Sequence, residues 1–304
     1  MLSTSRHRSA AIVGAGAGLG RELALGLAAK GYIVYGTAIS ANEVRDLKEA
    51  SGGRVSLAVC EVTRIEGIQT WAEGVSDALD GAGLNILFSN ISRCTLGPIE
   101  ILPLEDIRRE FEVNVFGALS IIRAFLPALR TARGRIIQIN DWTATIALPF
   151  DGPSGASKAA IDALSNVYRA ELEPFGIDVV VASTGIATSI GSADIETEAA
   201  RVKRKMTREQ SKLYGKTFDT FTKALIEMQE SEMGVTVAAS RLIAIAEQQP
   251  APIRAAVTSD AEDLLQAVRL RSDTELDVLR RELVGFKLSA AGRHLRHDDD
   301  ERKI

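Results

Sequence analysis

The chain has 304 residues, 46% hydrophobic and 25% charged, which suits one large globular domain with an ample core. Its formal charge of −4 gives no global field for nucleic acid. No unbroken apolar run reaches the ~18 residues that read as a membrane span, so no membrane partner is expected. The three histidines, His7, His294 and His297, lie at the chain ends, which excludes a central Ser-His-Asp triad or His metal site unless a tail folds back. Cys60 and Cys94 form neither a disulfide framework nor a zinc site, and a cytoplasmic location is expected.

Arg6 and Arg8 before Ser9-Ala-Ala-Ile-Val faintly mimic a secretory signal. The ordered glycines that follow assign this stretch to the fold instead. Residues 10–13 read as a short buried strand, followed by a glycine loop and an apolar-periodic helix through Ala29. Gly31 ends that helix, and residues 32–35 start a second strand. Further strand-like runs occupy 55–59, 84–88, 135–139 and 177–182. Helical stretches near 42–51, 64–80, 104–131 and 154–174 alternate with them. Such alternation predicts an α/β fold: one doubly wound, Rossmann-type parallel sheet of about seven strands.

Residues 192–232 break the rhythm and are expected to form a helical lid over a substrate. Arg201, Lys203, Arg204, Lys205 and Arg208 read as a solvated helix face. Phe218, Phe221, Leu225 and Met228 recur at helical spacing. A helix is expected over 234–247, ended by Pro250 and Pro252, with a last strand over 253–257. Ser272-Asp-Thr-Glu275 is a capping-box pattern opening a terminal helix through Leu283. The expected organisation is one domain over 1–285 and a charged tail over 286–304.

Gly14-Ala-Gly16-Ala-Gly18-Leu19-Gly20 falls between the first strand and the first helix. There the chain must turn sharply, let its backbone approach a pyrophosphate and pack helix on strand, all of which the lack of Cβ allows. The helix start adds unpaired N–H groups and a positive dipole end. An acid at the end of the second strand would indicate NAD and an arginine NADP. This strand ends Gly36-Thr37-Ala-Ile39-Ser40, with neither. Thr37, Ser40 and Arg45 are the candidates for a 2′-phosphate, so the expected cofactor is NADP, with NAD as the alternative.

These residues resemble the short-chain dehydrogenase/reductase family from about Ala10 to Ala261. Gly14, Gly18 and Gly20 match its Gly-x-x-x-Gly-x-Gly, and Glu61-Val62 its adenine-contacting Asp-Val. Ser89-Asn90-Ile91-Ser92 stands for its Asn-Asn-Ala-Gly, and Asn114 for its active-site asparagine. Thr184-Gly185 stands for its Pro-Gly, with Thr188 or Ser189 at the nicotinamide-contacting hydroxyl. The resemblance implies a nicotinamide dinucleotide, a carbonyl or alcohol substrate, and a homodimer or homotetramer formed through the helices near 104–131 and 154–174.

The family's catalytic Tyr-x-x-x-Lys and upstream serine are altered. Lys158 is in place, but the tyrosine position is Ser154 and the serine position is Asp141. In the family the lysine lowers the phenol pKa so that it exchanges a proton with the substrate. Tyr32 and Tyr35 belong to the second strand, and Tyr168 lies about 21 Å along the helix from Ser154. Only Tyr214, in the lid, could substitute, and the longer Tyr-to-Lys spacing of enoyl reductases falls on Asp151. The candidate catalytic set is therefore Asn114, Asp141, Ser154 and Lys158, with Asp141 as the acid/base group. Three readings follow: an oxidoreductase with Asp141 as proton relay; a dehydratase, isomerase or cyclase in the same pocket; or a dinucleotide-binding pseudoenzyme. No metal site is expected.

Overall fold

Seven parallel strands form one sheet in the order β3-β2-β1-β4-β5-β6-β7 in a computed structural model describing residues 8–185, 192–231 and 234–286. The strands are β1 (Ser9–Ile12), β2 (Ile33–Ala38), β3 (Val55–Val59), β4 (Ile86–Ser89), β5 (Arg135–Asp141), β6 (Asp178–Thr184) and β7 (Arg254–Ala256). The helices are α1 (Gly18–Ala29), α2 (Ala41–Ala50), α3 (Ile65–Ala78), α4 (Leu104–Phe111), α5 (Ala118–Ala132), α6 (Gly152–Leu172), α7 (Ser192–Lys205), α8 (Arg208–Ser231), α9 (Val235–Glu247), α10 (Ser259–Leu270) and α11 (Asp273–Leu283). The strand order reverses between β1 and β4, and such a sheet opens its ligand crevice there, at the strands' carboxyl ends.

Both faces of the sheet are covered, so its strands are apolar on both sides. On one face Leu19, Leu23 and Leu27 of α1 and Leu242 and Ile243 of α9 pack on Ile12, Val34 and Phe88. On the other, Trp71 and Val75 of α3 and Ile121, Phe125 and Leu129 of α5 pack on Val13, Leu87 and Ile136. A third cluster joins α7, α8, α10 and α11: Phe218 and Phe221 are fully buried with Ile195, Val202, Trp142, Ile146 and Leu276. The helical spacing of Phe218, Phe221 and Leu225 thus reports core packing.

The expected capping box forms at Ser272 and Glu275. Helix α10 was not anticipated; Asp260 and Glu262 in its first turn are the signal for it. A π-helical turn over Glu112–Gly117 joins α4 to α5, making one continuous helix from Leu104 to Ala132. An 18-residue window of it has a mean hydropathy of 1.4, long and apolar enough to cross a membrane, and half of that window is buried. Counting unbroken apolar runs overlooks it because charged residues such as Arg123 interrupt the stretch. Its apolarity serves the core, through Ile121, Ile122, Phe125 and Leu129.

Arg135, at the start of β5, fastens the far end of the sheet. Its guanidinium donates to Ala246 O (2.7 Å), Gln248 O (2.8 Å) and the Asp178 carboxylate (2.8 Å), with 5% of its side chain exposed. Arg135→Met leaves two carbonyls without that donor. It should cost about 2–3 kcal/mol in a denaturant titration, the range for lost hydrogen bonds to a charged group.

Candidate active site

The glycine loop lies at the β1/β4 reversal. Gly14 has φ +69° and Gly18 φ +52°, backbone that favours glycine. A methyl added at Gly20 would stand 1.9 Å from Gly14 O, so only glycine lets α1 close on the loop. A methyl at Gly18 meets nothing within 4 Å, so the loop is open there. Ala17, before α1, makes no side-chain cap, leaving the first N–H groups of the helix to a ligand. Uncapped helix, positive-φ glycines and open space fit the pyrophosphate of a dinucleotide. Leu19 is core, so it could meet a ligand only through its backbone.

Neighbouring elements hold the loop. Thr37 is buried; its Oγ1 accepts from Gly14 N (2.9 Å) and its carbonyl from Ala15 N (2.8 Å). Ser40 caps α2 by accepting from Glu43 N (3.3 Å). Arg45 bonds Asn42. The hydroxyls and the cation expected to meet a 2′-phosphate all have such partners inside the protein. Glu43 returns its own carboxylate to the end of β2, where the sequence shows no acid: Oε2 accepts from Ile39 N (2.9 Å). Asn90, after β4, reaches Gly14 O with Nδ2 at 3.5 Å. Glu61 is exposed and accepts from Thr63, while Val62 packs against the α3–α5 face. Gly185 is buried at the end of β6, and Thr188 and Ser189 lie outside the described residues.

The carboxyl end of β5 meets the start of α6 in a buried polar cluster. Lys158 Nζ donates to Asp141 Oδ2, with side-chain exposures of 5% and 0%. Asp141 Oδ1 accepts from Thr143 N (2.9 Å) and from the Thr143 hydroxyl. Asp141 and Lys158 are thus brought together as the sequence anticipated. Asn114, in the π-helical turn, accepts from Arg93 N (2.8 Å) and donates to Arg93 O (2.9 Å) and Ser157 Oγ (2.9 Å). Ser157 donates in turn to Ser154 O (2.9 Å), so Asn114 braces the loop after β4 against α6. π-Helical turns recur at functional sites because they redirect side chains inward.

Asp151, two helical turns before Lys158, joins the cluster. Its Oδ1 lies 3.4 Å from Cys94 Sγ. Its Oδ2 and the Ser154 hydroxyl are both buried, and Ser154 acts with Lys158 to lower the Asp151 carboxyl against the effect of burial. Burial, against the pull of Lys158, pushes the Asp151 carboxyl up to about 7. Burial likewise pushes Glu110 of α4 up to about 8, opposed by Thr95. Burial acts to lower Lys158, but Asp141 and then Asp151 outweigh it, and its pKa is raised.

Tyr214 faces outward. Its hydroxyl donates to the Glu100 carboxylate, and its ring lies edge-on to Phe150 (6.4 Å). Tyr32 bonds Glu247, and Tyr35 and Tyr168 pack on the α3–α5 face. A pocket of about 320 Å³ opens beside Asp151, lined by Gly97, Ile99, Leu148, Phe150, Gly152 and Tyr214. Tyr214, the candidate substitute for the catalytic tyrosine, thus lines this pocket and bonds Glu100; Glu110 carried no signal, since it reads as one more charge on a surface helix.

A parallel sheet with this order and a glycine loop at its reversal defines a Rossmann-type dinucleotide fold. Residues 8–200 match the short chain dehydrogenase family, and the chain belongs to it. Members of that family are oxidoreductases of the NAD(P)-dependent type. The chain is 25% identical over 240 residues to an NADPH-dependent 3-dehydrocapnine reductase of Ornithobacterium rhinotracheale, covering 77% of this chain and 82% of that protein. It is 29% identical over 219 residues to a mitochondrial D-beta-hydroxybutyrate dehydrogenase of Rattus norvegicus, covering 68% and 63%. In structure it is similar to a short-chain dehydrogenase from Streptomyces avermitilis, with TM-score 0.71, 24% identity, and 92% and 96% of the two chains covered. An NADP complex of a short chain dehydrogenase from Burkholderia cenocepacia gives TM-score 0.66 at 24% identity, covering 91% and 98%. These structural likenesses speak for the fold.

The two raised carboxyls fix the sign of a pH effect. Asp151 and Glu110 start from ordinary values of 3.8 and 4.5 in the unfolded chain and reach about 7 and 8 when folded. Over that interval the folded chain holds protons that the unfolded chain has shed, so stability falls as pH rises. Their contribution is full below about pH 4 and spent above about pH 8. The melting temperature should therefore decline from pH 5 to pH 8, and Glu110→Gln should make that decline shallower.

Proposed function

We propose that the chain is an NAD(P)-dependent oxidoreductase acting on an alcohol or carbonyl group of a small molecule, with buried carboxyls replacing the family's tyrosine and serine. The observation that carries this reading is the buried cluster of Lys158, Asp141 and Asp151 at the carboxyl end of β5, the edge of the sheet that also bears the glycine loop; by resemblance Lys158 and Asp141 stand at the family's catalytic positions. When bound, the nicotinamide exchanges a hydride with the substrate carbon. The glycine loop and the uncapped start of α1 hold the pyrophosphate. Gly185 stands at the edge of the nicotinamide site, by resemblance together with Thr188.

In this reading Asp141 keeps Lys158 charged and fixed, and both its oxygens accept hydrogen bonds in doing so. Asp151 is the carboxyl that still carries a proton near neutral pH, held there by burial. The Ser154 hydroxyl interacts with Asp151, and a substrate oxygen or a bridging water would take the proton from that pair. The proton relay therefore runs from Asp151, with Asp141 and Lys158 setting the field. Asn114 positions the loop and helix that frame the relay.

We further propose a cytoplasmic homodimer or homotetramer. Phe116 and Val167, 53% and 52% exposed on the α4–α5 and α6 helices, would pair with a second copy.

Purified protein should oxidise NADH or NADPH with at least one carbonyl compound in a substrate panel. The rate should fall as pH rises past about 7 and Asp151 loses its proton. Asp151→Asn should lower kcat by about 10²–10⁴, the usual value of a positioned proton donor, without weakening the dinucleotide. Asp141→Asn should destabilise the fold by about 3–5 kcal/mol, because it leaves Lys158 buried without its counter-charge. Product formation with no net change in nicotinamide absorbance would favour a dehydratase, isomerase or cyclase, and dinucleotide binding without any turnover a pseudoenzyme.

A further inference from the structure

In a Rossmann-type crevice the pyrophosphate lies on the first helix and the adenosine ribose beside the end of the second strand. Here that strand ends Thr37-Ala38-Ile39, with no acid or base of its own. The structure brings a carboxylate to this corner from the next element. Ser40 caps α2, and Glu43, one turn in, reaches back so that Oε2 accepts from Ile39 N at 2.9 Å. A methyl added at Gly16 would stand 2.1 Å from Oε2 and 2.7 Å from Cδ of Glu43, so the carboxylate lies against the glycine loop itself. Gly16 and Glu43 thus form one surface, part backbone and part carboxylate.

We propose that Glu43 is the ribose-anchoring residue and makes the protein selective for NAD(H) over NADP(H). This rests on the dinucleotide reading above and deepens it. With Oε2 bonded to the backbone, the carboxylate is held against Gly16, and its second oxygen would accept from the ribose hydroxyls. A 2′-phosphate adds about two negative charges beside a carboxylate that cannot swing away without releasing Ile39 N–H. Its natural counter-charge, Arg45, bonds Asn42. The side chain also serves as a local cap, and that role alone has no bearing on cofactor choice. Glu43→Gln separates the two, because its amide oxygen can keep the bond to Ile39 N while the charge is gone.

The test is direct titration of the dinucleotides, followed by fluorescence or calorimetry and without substrate. Wild-type protein should bind NADH at least tenfold more tightly than NADPH. In Glu43→Gln and Glu43→Ala that ratio should fall about tenfold or more, through weaker NADH and stronger NADPH binding. Unchanged melting temperatures without ligand would show that the cap is kept. Wild-type binding of NADPH as tight as NADH, or a ratio unmoved by both substitutions, overturns the assignment while leaving the dinucleotide reading intact. Failure to bind either dinucleotide overturns both.

Discussion

Lys158 and Asp141 face each other with almost no solvent contact, and removing two charges from water costs several kcal/mol each unless the surroundings answer it. That requirement organises the centre of the molecule. Asp141 draws on the N–H and hydroxyl of Thr143, which winds residues 142–144 into a tight turn off the end of β5. The backbone of Lys158 is held by Asn140, whose Nδ2 donates to Lys158 O at 3.0 Å. Asn114, Ser157 and Ser154 O then tie α6 to the π-helical turn and the loop after β4. Three elements distant in sequence are thereby held at one charged centre.

The same low-polarity surroundings decide what the other carboxyls do. Asp141 has the lysine, and Asp151 and Glu110 lie close enough to feel it yet do not pair with it. Burial governs those two, and both rise toward neutrality. One buried carboxylate is thus paired with the lysine, and two buried carboxyls are raised toward neutrality by burial.

At the adenosine end, steric fit rules instead. A side chain at Gly36 would meet Ala15 Cβ at 2.6 Å, and one at Gly20 would strike the Gly14 carbonyl. Thr37 fills the space below with a hydroxyl that bonds Gly14 N. The loop is rigid because strand, helix and loop all pass within contact distance, and Glu43 completes its outer wall.

Periodicity and punctuation made the fold legible. Seven apolar runs became seven strands within a few residues of their expected bounds, and the glycine spacing placed the loop correctly, because both follow from local geometry. The capping box at Ser272 was legible for the same reason. At the site, spacing within one helix put Lys158 and Ser154 on one face, and resemblance paired them with Asp141. What stayed hidden was every role that depends on which neighbours exclude water. Asp151 was marked only by a spacing that calls for tyrosine, while Glu110 reads as a surface charge and Glu43 as an ordinary first-turn residue. Sequence by itself thus determined the architecture and the place of the glycine loop. Only the tertiary structure decided which carboxylate is paired, which are raised by burial and which meets the glycine loop, because burial and contact set those properties and neither is a local function of sequence.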